Sequence, residues 1–143
     1  MIRIKGLSKK NGNYSVTYAQ SARALNIESS SMSDDCVPYR ESTGCMIWID
    51  EDNMIGEIEC IFPIIAECVG ENLEGDVKLL EATPILEVRF EEKDIEMFLN
   101  ESQLVLIFNK NRKVDKKYIS STCVFYASGE ELIAISCTDF KLI

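Results

Sequence analysis

Two short runs in the middle of this chain limit what the rest can fold into. Cys45-Met-Ile-Trp-Ile49 is apolar at every position. Ile55-Gly-Glu-Ile-Glu-Cys-Ile61 alternates, with Ile58, Cys60 and then Phe62 on one side and Glu57 and Glu59 on the other. A period of two belongs to an extended strand with one face buried, whereas a helix needs its apolar residues three and four apart. The polar tip Asp50-Glu-Asp-Asn53 separates the runs, so together they read as a β-hairpin.

The same period recurs elsewhere. Tyr14 to Gln20 alternates aromatic and β-branched residues after Lys9-Lys-Asn-Gly-Asn13, so residues 1–5 and 14–20 are expected to form an opening hairpin. Ala19 to Ser33 is small and polar and reads as a loop, with at most one helical turn over Ser21 to Leu25. Leu86, Val88 and Phe90 alternate inward, and Leu104 to Phe108 is continuously apolar, as suits a central strand covered on both faces. After the basic tip Asn109 to Lys117, the runs Thr122 to Ala127 and Leu132 to Thr138 turn at Ser128-Gly129 and close a meander. Ile47 to Gly56 can also be laid on Leu106 to Asp115 without a gap, which reads as two hairpins obeying the same local rules. Helical spacing occurs in Ile64, Ile65, Cys68 and Val69 before Gly70, and in Ile95, Phe98 and Leu99 within Glu91 to Asn100.

The expected fold is therefore α+β and mainly β: an antiparallel meander sheet or small sandwich with one or two short helices. A single domain over residues 1–143 is expected, since its length is that of one domain and 46% hydrophobic residues can fill a core. Ile47, Ile58, Val88, Leu104, Leu106, Phe108, Phe125 and Ile133 are the expected core. The longest apolar stretch, Ile61 to Ala66, is too short to span a bilayer, and the N-terminus lacks the apolar core of a secretory signal. A cytoplasmic location is the expectation.

The chain has no histidine, which removes Ser-His-Asp and Cys-His catalysis and leaves carboxylate or lysine chemistry. Its six cysteines, at 36, 45, 60, 68, 123 and 137, include no C-x-x-C pair, so buried reduced thiols are expected rather than a metal site or disulfides. Asp50 to Ile61 departs from a calcium loop at the fifth, sixth and twelfth positions. No cofactor or metal is expected. Glu57 and Glu59 share a strand face, a pair that can serve acid–base chemistry in a cleft. A small carboxylate-using enzyme or ligand-binding β domain is thus the alternative reading.

Charge supplies the main functional signal. Residues 34–101 hold nineteen acids and four bases, while the flanking segments are net basic and the whole chain carries −9. Such a block disfavours nucleic acid and anionic membrane as partners and favours a cationic protein. The expected contact residues are Trp48, Asp50, Glu51, Asp52, Glu57 and Glu59, centred on the acidic tip. Glu91, Glu92 and Asp94 form a second patch. Gly44 to Glu59 and the tail Glu130-Glu-Leu-Ile-Ala-Ile135 give the chain a form that resembles the immunity proteins of bacterial polymorphic-toxin systems, including contact-dependent inhibition. That resemblance implies a protein without catalytic activity that binds and neutralises a cognate toxin domain, often a basic nuclease.

Overall fold

In a computed structural model describing residues 1–143, the alternating runs become strands of two sheets. In chain order the strands are β1 (Ile2–Ser8), β2 (Tyr14–Ala19), β3 (Ala24–Ser29), β4 (Val37–Ser42), β5 (Cys45–Ile49), β6 (Ile55–Ile61) and β7 (Ile64–Ile65). Then follow β8 (Leu79–Glu81), β9 (Thr83–Val88), β10 (Glu96–Leu99), β11 (Leu104–Ile107), β12 (Lys116–Ser120), β13 (Cys123–Ser128), β14 (Glu131–Cys137) and β15 (Lys141–Leu142). Strands make up 53% of the chain and helix 2%, so the fold is mainly β.

The smaller sheet has the order β15-β2-β3-β6-β5-β4, and the larger runs β7-β10-β11-β14-β13-β12-β8. Strand β1 joins the larger sheet at the Glu131 end of β14 and carries β9 on its other side. Pairs within the sheets are antiparallel, except where the short edge strands β7, β8 and β15 lie parallel to their neighbours. One cluster of 26 buried residues draws on both sheets, with Leu25, Ile27, Ile47 and Ile58 from the smaller and Leu104, Leu106, Phe125 and Ile135 from the larger. A second cluster covers the far face of the larger sheet, where Leu73 and Val114 lie against Val105, Ile107 and Ile133. Apolar residues on both faces of β11 and β14 are the consequence, and every residue of those two strands is buried.

Two cysteine pairs sit directly opposite each other across antiparallel strands: Cys45 with Cys60, and Cys123 with Cys137, whose Sγ atoms lie 3.2 Å apart. Mutual hydrogen bonding, reinforced by burial, pushes the Cys45 and Cys137 thiols up from the ordinary value. No helix is long and apolar enough to cross a membrane.

Several expectations need correction. Residues 1–5 and 14–20 do not pair, because the Asn-Gly stretch crosses between the sheets and Gly12 N–H donates to Ser120 Oγ (2.8 Å). Ala24–Ser29 is a strand rather than a loop, since Leu25, Ile27 and Ser29 alternate inward behind a small, polar composition. The helix expected after Pro63 gives way to β7, whose backbone is drawn to the edge of β10: Ile64 N–H reaches Ile95 O (2.8 Å) and Ala66 N–H reaches Met97 O (2.9 Å). The sole helical element is a 3-10 turn at Glu71–Leu73. Within Glu91 to Asn100 the period is again two, with Ile95 and Met97 buried in and beside β10. Leu106 to Asp115 is no hairpin, because β14 rather than β12 lies next to β11. Val88 is only partly buried, and Phe62 and Phe90, read as inward, are 63% and 56% exposed.

Candidate functional site

The outer face of the smaller sheet follows from its inner one. Ile47, Ile58, Leu25 and Ile27 are driven into the core, so their strand neighbours must project outward. Register then aligns them in two rows. Pro38, Trp48, Glu57, Glu28 and Ser15 face one another across β4, β5, β6, β3 and β2. Beside them run Arg40, Met46, Glu59, Asn26 and Thr17.

Three carboxylates, Glu28, Glu57 and Glu59, are therefore neighbours on an open sheet face beside half-buried Trp48 and Met46. None of the three forms an ion pair, whereas Asp52, Glu41, Glu87, Glu91, Glu96, Glu130 and Glu131 all do. Partial burial, then the charges of Glu28 and Glu59, raise the Glu57 carboxyl above its ordinary range. An approaching cation would relieve this repulsion.

The tip at 50–53 stands at one end of this face. Asp50 is turned inward and 9% exposed: Oδ1 accepts the amides of Asp52 (2.9 Å) and Met54 (3.0 Å), and Oδ2 accepts the Ser31 hydroxyl (2.8 Å). Its role is to shape the turn. Glu51 and Asp52 are exposed there, and Asp52 meets Lys10 Nζ at 3.2 Å. Glu91, Glu92 and Asp94 are also exposed. Glu91 is tied down by its amide to Glu41 O (3.0 Å) and shares Lys93 with the fully buried Glu41. The residues expected as two patches thus fall into three places: Trp48, Glu57 and Glu59 stand together on the sheet face, apart from the tip and from the exposed residues Glu91, Glu92 and Asp94.

The chain reading missed Glu28, although the alternation Leu25-Asn-Ile-Glu28 carried the signal. It also missed a cleft at the opposite end of β6 from the tip, roughly 20 Å away by strand rise. The cleft has a volume of about 260 Å3, between the β4–β5 turn, the end of β6 and Lys93 to Ile95. Gly44 is required in its wall, because a Cβ there would stand 2.8 Å from Ile61 O. Ser42 also lines the cleft, and its buried hydroxyl has no hydrogen-bond partner. No three acidic or thiol side chains converge on a point that would hold a metal ion. No described protein family matches the sequence, and no curated protein matches it either.

Proposed function

We propose that this chain is an immunity-type protein that binds and neutralises a basic protein partner, a toxin domain, through the outer face of its smaller sheet. The observation that carries the reading is the row Trp48–Glu57–Glu28 with Glu59 beside it: a carboxylate cluster left without cations next to a half-buried indole. Like charges held together on a surface cost stability, and a partner that supplies lysine or arginine turns that cost into affinity. The indole adds an aromatic anchor of the kind that dominates interface energies. The enzyme reading draws less support, since Glu57 and Glu59 stand on an open sheet face and the pocket that Glu28 borders, beside Tyr14 and Ser29, opens widely to solvent.

The test is a site-specific photo-crosslinker at position 59, with position 113 on the basic loop as control, applied in the cells that make the protein. A basic protein captured from position 59 alone, whose activity is lost when the two are mixed, supports the proposal. Capture of an acidic partner, or equal capture from both positions, overturns it. With the partner in hand, Glu57→Lys together with Glu59→Lys should slow association, and added salt should weaken the parent complex more than the doubly reversed one.

A further inference from the structure

Four buried side chains line up across the middle of the larger sheet: Ser120, Cys123, Cys137 and Leu104, from β12, β13, β14 and β11. The two thiols are direct partners on adjacent antiparallel strands, both wholly buried, with Sγ atoms 3.2 Å apart. Directly opposed residues of an antiparallel pair have Cα atoms about 4.5–5.5 Å apart, inside the range that a disulfide spans. Both strands are held from outside, β13 by β12 and β14 by β11. Closing the sulfurs to the bonded distance of about 2.0 Å therefore needs a turn of two side chains and no shift of backbone.

We propose that Cys123 and Cys137 are a redox-dependent staple: a disulfide made when the chain folds in contact with a small-molecule disulfide, and reopened by an excess of the small thiol. One cysteine attacks the small disulfide and expels one small thiol. The other attacks the resulting mixed disulfide and expels the second, so two protein thiols and one small disulfide become one protein disulfide and two small thiols. Both sulfurs are closed to solvent in the finished fold, so the exchange takes place while the chain is folding or opened. The bond constrains the unfolded chain and so stabilises the folded one. By linkage the fold favours the bond by the same factor, about a hundredfold for a loop this short. The pair lies in the core between the sheets, so the staple leaves the outward row of Trp48 and Glu57 untouched.

The test uses Cys68→Ser, which removes the one exposed thiol, the group that would join chains together. The variant is equilibrated with mixtures of oxidised and reduced glutathione, once by refolding from urea and once held in urea. Remaining thiols are then alkylated and the links mapped by peptide mass. The refolded protein should lose two hydrogens and carry Cys123 joined to Cys137, with an equilibrium constant about a hundredfold above that in urea. Its Trp48 fluorescence should match that of the reduced protein, and its urea midpoint should be higher. An equal constant in the two conditions would mean that proximity along the chain alone makes the bond, and would overturn the proposal. So would a bond between Cys45 and Cys60, the other opposed pair, formed in its place. A stapled protein less stable than the reduced one would overturn it too.

Discussion

A carboxylate that accepts three hydrogen bonds inside a turn leaves three donors stranded when it is removed. Asp50→Ala should therefore lower stability by about 2–4 kcal/mol in urea unfolding, while the parent turn is kept best by Asp50→Asn. An unchanged midpoint for the alanine variant would contradict the inward role of Asp50. Glu57 makes the opposite prediction. Its carboxyl holds its proton more tightly in the folded chain than in the unfolded one, so ionising it costs stability. That cost is absent below the unfolded value and complete once pH has risen through the raised folded value. Glu57→Gln should flatten the loss of stability with rising pH in that window and be at least as stable as the parent at neutral pH. Urea midpoints across a pH series provide the check, and parallel curves for the two proteins would refute it. Glu57 and Glu59 were legible in the sequence because alternation fixes which face a strand residue takes, whereas the run Cys45 to Ile49, apolar throughout, gave no sign that Trp48 faces outward. The inward turn of Asp50 was not, since the run of acids from 50 to 52 gives no sign that its first member meets Ser31 and two amides.

Among elements, β11 and β7 mark the extremes of burial. Leu106→Ala in the middle of β11 opens a cavity between two covered faces and should cost about 2–5 kcal/mol. Ile65→Lys at the exposed edge should stay within about 0.5 kcal/mol, and comparing the urea midpoints of both variants tests the placement of both strands. The continuous run Leu104 to Phe108 announced its own position, because few other settings need both faces apolar. Ile64 to Val69 was ambiguous by comparison: apolar residues in so short a span fit a helical turn as readily as an edge strand, and what decided was the open edge of β10. Cysteine accessibility gives a further prediction at this scale. Only Cys68 is exposed, so an aromatic disulfide reagent should titrate one thiol in the native protein and six after unfolding. A second fast-reacting thiol would show that the cross-strand pairs are less enclosed than described.

At the scale of the molecule, the shared cluster of 26 residues makes each sheet the other's core. Trp48 fluorescence, which reports the smaller sheet, and amide exchange in β11 and β14, which reports the larger, should therefore give one coincident unfolding transition. Two separated transitions would mean that the sheets are stable apart. Which strands pair was the least legible part of the fold. Ile2 meets Val88 and Arg3 meets Glu131, and such partners are chosen by the sum of packing rather than by any local signal. The central place of β14 has a consequence for incomplete chains. It lies between β11 and β13, yet it is made after both. A chain broken off before Glu131 would display two facing ladders of unanswered backbone donors and acceptors, flanked by side chains meant for the interior. Such a fragment should cluster with its own kind and be a ready substrate for proteolysis, so the meander's final strand acts in effect as a check that synthesis has run past it.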